Sequence, residues 1–381
     1  MTIFNFTLRA EDDRGAFSDR QFSIKVRNTL VDRYMMVDNN HAYTSLDMVN
    51  WTERPDMGGV GCSYGGGNWM VWRGNNTYRM SPDGINWTQH TARYLVNDVP
   101  TNLPGAAMWS KPVWHKDRWF AICGTGNIIS SDNGEIWTMV ATNICTPSAT
   151  NWPTLESTSN GCLVVNFNQT ASNINAVISY PLISFDDGKT WEVAIKSTPA
   201  GWQNIVAHYS AQTVYRSAIL KFINGLWYYA FSAQRSYYSG YNGNSQGARY
   251  HYVGYSHDLV NFTRCNTDSI SATTGNPTTA MGGLIDDIHY ANGVLLLSTR
   301  MPVAVASANP NYAAYSVDGR TFEQSTMAPI NFHNTTYFMS QGKVYQCAAN
   351  SDILKGSSDN GRNFTEVGTV PSSTVNDFAR I

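Results

Sequence analysis

Charge is scarce in this chain. Lys, Arg, Asp and Glu make up 14% of its 381 residues and leave a net charge of −2. No basic stripe interrupts that balance, so binding through a nucleic-acid backbone has no electrostatic support. Long apolar runs are missing too, and no stretch reaches the ~20 residues of a membrane-spanning helix, so no membrane insertion is expected. The opening Met-Thr-Ile-Phe-Asn-Phe has no basic segment ahead of an apolar one, so no secretory leader is expected. The six cysteines (Cys62, Cys123, Cys145, Cys162, Cys265, Cys347) lack any CxxC or Cys/His spacing. They read as small apolar core residues of a protein made in a reducing compartment, with no metal and no cofactor expected. Sustained helical periodicity, phosphate loops and G-x-S-x-G elbows are also absent, which excludes the enzyme classes built on them.

What the chain does have is glycine, aromatic residues and one turn motif used seven times. The copies centre on Asp47, Asp83, Asp132, Asp186, Asp258, Asp318 and Asp359. Each follows a Ser by two positions and precedes a Trp or Phe, as in Ser81-Pro-Asp83-Gly-Ile-Asn-Trp87. The copies at Asp132, Asp186 and Asp359 read as a long form S-x-D-x-G-x-x-[WF], and the other four are one residue shorter. The Asp accepts hydrogen bonds from amides just beyond it, a Gly takes the positive φ, and the aromatic ring anchors the next strand. These acids are therefore expected to hold turns, not to do chemistry.

Between the motifs, strands and Gly- or Asn-Gly-containing turns alternate, as in Val60–Tyr64, Asn68–Arg73 and Tyr78–Ser81, and again in Phe222-Ile-Asn-Gly-Leu-Trp. Four short antiparallel strands per motif, repeated at about 50 residues, predict an all-β seven-bladed β-propeller over residues 31–381. The first unit lacks a strand, and the tail Val375-Asn-Asp-Phe-Ala-Arg-Ile381 looks like an inner strand. That tail is expected to complete the first blade and close the ring. Residues 1–30 stand apart as a short β-hairpin, Phe4–Ala10 with Arg20–Val26, that tethers the body or pairs with a partner chain.

The seven motifs resemble Asp boxes, also called BNR repeats, of the superfamily that includes sialidases, sortilin-type receptors and xyloglucan-degrading enzymes. The hairpin resembles the last two strands of Ig-like or cadherin-like modules. The resemblance implies the fold and leaves the activity open, because a fold hosts many functions. A sialidase frame is missing: the Arg-x-Pro of that flavour, Arg300-Met-Pro302, falls in the sixth unit, and Arg73, Arg79, Arg216, Arg235 and Arg249 stand in no recognisable frame. Asp98, Asp286-Asp287 and Glu156 are candidate carboxylates for another glycosidase, each also readable as a solvated or capping acid. The dispersed histidines, His115 and His289 among them, read as hydrogen-bonded strand residues.

The interval between Asp186 and Asp258 is the longest and contains Gln234–Tyr252, rich in Tyr, Ser, Gly and Asn. That composition suits recognition, and sets Arg235, Tyr237, Tyr238, Tyr241, Arg249, Tyr250 and Tyr252 as candidate ligand-binding residues, widened by Trp152 and Trp202. No catalytic residue is assigned. The expectation is a non-enzymatic recognition or structural module, in a setting such as a bacteriophage tail, fibre or decoration protein made in a host cytoplasm. Its partner would be a host surface glycan or another virion protein. The alternatives are a glycan-active hydrolase of the Asp-box superfamily and a secreted or surface binding protein.

Overall fold

The computed structural model describes residues 2–11, 15, 17–26, 34–54, 56–73, 76–96, 99–102, 110–124, 126–147, 151–171, 180–195, 214–235, 249–267, 270, 284–291, 293–300, 313–325, 335–340, 343–348, 352–359, 361–372, 375 and 377–380. Every regular element among them is a β-strand. Thr2–Glu11 and Phe17–Val26 pair as the expected antiparallel hairpin, with Arg9 and Asp19 in a two-pronged contact at 2.8 Å.

Apart from one further hairpin, the remaining strands among the described residues group into seven four-stranded blades. Blade 1 takes its inner strand from the C-terminus: Asp377–Arg380 pairs with Tyr34–Val37, which leads to Ala42–Ser45 and Thr52–Arg54. Blade 2 runs Gly61–Gly65, Asn68–Trp72, Thr77–Ser81, Thr88–Thr91, and blade 3 Val113–His115, Arg118–Cys123, Asn127–Ser131, Ile136–Ala141. Blade 4 runs Asn151–Ser157, Leu163–Ala171, Leu182–Ser184, Glu192–Val193, and blade 5 Val214–Ile223, Leu226–Arg235, Arg249–Ser256, Thr263–Arg264. Blade 6 runs Leu284–Ala291, Val294–Arg300, Ala314–Ser316, Glu323–Gln324, and blade 7 Thr335–Ser340, Lys343–Ala348, Ile353–Ser357, Thr365–Thr369. Neighbouring blades touch in succession around the ring, and blade 7 reaches the closing strand of blade 1. The chain is an all-β propeller closed by its C-terminal strand.

The core lies between blades, because each blade is covered on both faces. Period-two alternation sends successive side chains to opposite neighbours. In blade 2, Trp69 and Val71 pack with Met35 and Val37 of blade 1, whereas Met70 and Trp72 pack with Trp119 and Ala121 of blade 3. In blade 5, Trp227, Tyr229 and Phe231 face blade 4, while Tyr228 and Ala230 face blade 6. The cysteines are unbridged and all but Cys145 are buried, as their apolar flanks suggest.

Two features of the blades exceed the repeat. Arg93–Val96 and Val99–Asn102 form a hairpin that adds in parallel to the outer strand of blade 3. The second strand of blade 4 continues to Ala171, and its last residues, Phe167–Ala171, pair with Val214–Ala218 of blade 5. That ladder ties two blades into one sheet.

The turns behave as staples, with one correction. Asp47 Oδ1 accepts the amides of Val49 and Asn50 at 2.9 and 2.8 Å, and the Ser45 hydroxyl accepts the Met48 amide at 2.8 Å. Equivalent bonds recur at Asp83, Asp186, Asp258, Asp318 and Asp359. In blade 3 the box sits one residue later than the sequence reading put it. Asn133 Oδ1 accepts from the Glu135 and Ile136 amides, and Ser131 from Gly134. Asp132 instead points outward, 77% exposed, and pairs with Arg118 at 2.5 Å. Ser131 and Asn133 reproduce the short geometry of the other boxes, so the Ser-x-Asp match at Ser130 was a coincidence of a doubled serine. Met48 and Leu259 occupy the left-handed position normally given to Gly, at φ of 66° and 63°, and both side chains are buried. Burial there offsets a backbone cost of roughly 1–3 kcal/mol.

Candidate functional site: the channel wall of blades 4 to 6

The inner strands of a propeller line its axis, and their register can be aligned on the box serines. Ser184, Ser256 and Ser316 pair with Leu163, Trp227 and Leu295. One step inward, Glu156, Lys221 and His289 each pair with the next residue of those second strands, Val164, Tyr228 and Leu296. Three consecutive blades thus place a charged or titratable side chain at one level of the inner wall. Blades 2 and 3 have Ser63 and Val113 at that level. A register shift between Ile285 and Asp287 sets Asp287 opposite Ser298, the kind of irregularity that re-aims a side chain.

These residues converge on one ammonium. Lys221 Nζ contacts Glu156 Oε2 at 2.7 Å and Asp287 Oδ1 at 2.8 Å, with all three side chains between 22% and 31% exposed. Asn166 Nδ2 donates to Glu156 Oε1 at 3.1 Å, while its Oδ1 accepts the Leu220 amide at 2.8 Å. Asp287 Oδ1 also accepts the Ile288 amide at 2.7 Å, and His289 approaches Asp287 Oδ2 at 3.8 Å. Burial raises the Glu156 carboxyl above its ordinary range, with the Asp287 charge adding to the effect and Lys221 opposing it. Burial pushes Asp287 the same way, yet Lys221 and His289 win and hold it low. Burial also keeps His289 below the usual imidazole range, against the pull of Asp287.

Across the ring a second cluster secures the closing strand. Asp377 Oδ2 accepts the Cys62 amide at 3.0 Å and meets Lys111 Nζ at 2.8 Å. Gly61 makes this possible, because a Cβ there would come within 3.3 Å of the Asp377 carboxylate and 3.1 Å of Lys111 Cβ. One acid of blade 1 is thereby bound to blades 2 and 3.

Contacts of 2.7 and 2.8 Å to one ammonium keep Glu156 Oε2 and Asp287 Oδ1 close to each other, as the ~5–5.5 Å carboxyl pair of a retaining glycosidase also is. The lysine between them changes what they can do. Its ammonium contacts one oxygen of each carboxylate, at 2.7 and 2.8 Å. The arrangement suits a fixed polar wall better than an acid and nucleophile pair.

The candidate ligand-binding residues divide three ways. Trp152, Arg235, Arg249 and Tyr250 fall on the one continuous sheet of blades 4 and 5: Trp152 pairs with Asn168, Asn168 with Ser217, Arg235 with Val214, and Tyr250 with Ala233. Tyr252 is corrected: its ring is 1% exposed in the core between blades 4 and 5, so it presents nothing to a ligand. Period-two alternation puts it on the packed face of its strand. Tyr237, Tyr238, Tyr241 and Trp202 lie outside the described residues. Sequence reading named Glu156 and Asp287 only as isolated acids and missed Lys221, set within the apolar run Ala218-Ile-Leu-Lys-Phe-Ile223.

Among the described residues no group of His, Cys, Asp and Glu is arranged to hold a metal, and no helix is long and apolar enough to cross a membrane. No family model matches the chain, and no curated protein matches it. Solved structures with similar shape include YCF48 from Cyanidioschyzon merolae, at 13% identity and a TM-score of 0.45, covering 87% of this chain and 95% of that one. The polysaccharide lyase Uly1 is similar at 12% identity and a TM-score of 0.46, covering 91% of each chain. A Penicillium chrysogenum α-L-arabinanase is similar at 13% identity and a TM-score of 0.38, covering 98% of this chain and 89% of that one.

Proposed function

We propose that this protein is a non-enzymatic recognition module whose target meets the end of blades 4 and 5 opposite the Asp boxes. The observation that carries this reading is the Lys221 bridge, which commits Glu156 and Asp287 to each other's company and leaves neither free for acid catalysis. Supporting it, the ladder of Phe167–Ala171 with Val214–Ala218 extends the sheet at the end from which residues 172–181 and 236–248 depart. The second of these connections is the Tyr-rich one, whose composition fits rigid aromatic contacts with adaptable polar groups.

The target class this reading assigns is a surface glycan or a partner protein, in the setting of a virion tail, fibre or decoration protein tethered by residues 1–30. The test is a glycan array probed with the full chain. Tyr238→Ala combined with Tyr250→Ala is expected to abolish retention at unchanged melting temperature, and unaltered retention would refute the assignment. Copy number in a purified particle decides the virion setting. A glycosidase remains the second reading because of the carboxylate spacing alone, and release of reducing ends would establish it.

A further inference from the structure

The cleft between blades 3 and 4, at the Asp-box end and remote from the proposed recognition surface, is lined by three cations, two of them in ion pairs. It encloses about 350 Å³, within the size of small-ligand sites. Lys116 and Arg118 enter it from the inner hairpin of blade 3, and Lys189 from the box turn of blade 4. Among the described residues, Asp187 is the one acid that lines it. Asp187 Oδ1 takes Lys116 Nζ at 2.6 Å, and Arg118 is met by Asp132 at the exposed rim. Lys189 has no ion pair among the described residues.

We propose that this cleft binds a monosaccharide-sized ligand carrying a phosphate or sulfate ester. Three independent observations support it. First, Ser130 is 0% exposed, lines the cleft, and its hydroxyl has no hydrogen-bond partner. The one-residue shift of the blade 3 box freed it, since Ser131 does the work of the turn. A buried hydroxyl without a partner costs about 1–3 kcal/mol, and it marks a polar spot in the cleft wall.

Second, Lys116 and Asp117 form the inner turn of blade 3 with φ of 43° and 66°, where the corresponding turns use Gly66-Gly67 and Asn224-Gly225. Such a turn favours Asn and Gly, and non-glycine strain of this kind collects at functional sites. The Lys116 stem crosses Gly161, where a Cβ would lie 3.1 Å from its Cε.

Third, the cleft has a fixed framework. His115, 2% exposed, holds the Ser157 hydroxyl at 2.8 Å on Nδ1 and Asp187 at 3.3 Å on Nε2. Burial keeps that imidazole below its usual pKa, so at neutral pH it serves as a neutral positioning group for Asp187. Phe120, Met139 and Val140 supply an apolar wall against which a sugar ring can lie.

Calorimetry on the full chain tests the site with glucose 6-phosphate, glucose 6-sulfate, inorganic phosphate and glucose. Saturable heat with at least one of the two esters, competition by phosphate and none with glucose are expected, and the two esters separate phosphate from sulfate preference. Lys189→Ala and Arg118→Gln, both at solvent-reachable positions, should each weaken binding about tenfold, which is ~1.4 kcal/mol, at unchanged melting temperature. Lys221→Met should leave this binding intact. No saturable heat with either ester, or binding undiminished when both cations are removed together, overturns the proposal.

Discussion

At the box end of the blades, Asp47, Asp186 and Asp258 sit in turns near the surface, and backbone amides hold them ionised. In the channel, Glu156 and Asp287 are half-buried and answer to one lysine, which leaves one carboxyl raised and the other lowered. The first set is local: each acid finds its partners within four residues and repeats the solution in blade after blade. The second is long-range, drawing Glu156, Lys221 and Asp287 from three blades into a single contact. Local acids define the fold, whereas the shared ammonium joins blades, and perturbing each set should have different consequences.

The largest effect is expected where the long-range contacts close the ring. Removing residues after Pro371 deletes the inner strand of blade 1 with Asp377 and uncovers the edge at Tyr34–Val37. The loss should be several kcal/mol, on the order of the whole stability of a domain, read as a collapse of the thermal transition. An unchanged melting temperature would show that the ring closes by other means.

Next comes Lys221→Met, which leaves two carboxylates facing one another. Loss of one partner from a buried pair costs roughly 3–5 kcal/mol, and partial exposure of this cluster reduces that to about 1–3 kcal/mol. Denaturant unfolding measures it, and Glu156→Gln added to Lys221→Met should recover part of the loss by removing one unpaired charge. A smaller effect separates the two readings of the blade 3 box. Asn133→Ala should cost about 1 kcal/mol through lost amide bonds, and Asp132→Ala less than about 0.5 kcal/mol as an exposed pair. Equal costs would place the box where the Ser-x-Asp pattern alone suggested.

Acid titration gives the finest distinction. The box carboxyls have pKa values lowered on folding, so their contribution is present above the unfolded carboxylate value and is lost as pH falls through the folded one. With Asp186 held down to about 2 from 3.8 by the Thr190 amide and hydroxyl, melting temperature should drop between about pH 4 and pH 2. Asp186→Asn should make that drop shallower; an unchanged slope would argue against the staple.

How much of this was legible in the sequence follows the same division. The boxes repeat within eight residues and carry their own partners, so the propeller fold, the strand order within a blade and the closing tail could be read directly. Blade 3 misled because Ser130-Ser131 and Asp132-Asn133 offer two overlapping matches, and only the amide bonds to Asn133 decide between them. Lys221 was hidden for a different reason. Its neighbours are supplied by other blades, and no pattern within Val214–Ile223 reports them. The Phe167–Ala171 extension was equally hidden, being a pairing between blades. Tyr252 failed as a site residue because composition ignores which face of a strand is packed.

The central claim is recognition without turnover by the surface over blades 4 and 5, beside a channel whose acids Lys221 holds together. Incubating the full chain with the glycans it retains on an array, and following the supernatant by mass spectrometry, tests it most directly. Retained, intact glycan with no new reducing ends or free sialic acid is expected. Stoichiometric release of either product, lost on Glu156→Gln or Asp287→Asn, would contradict it.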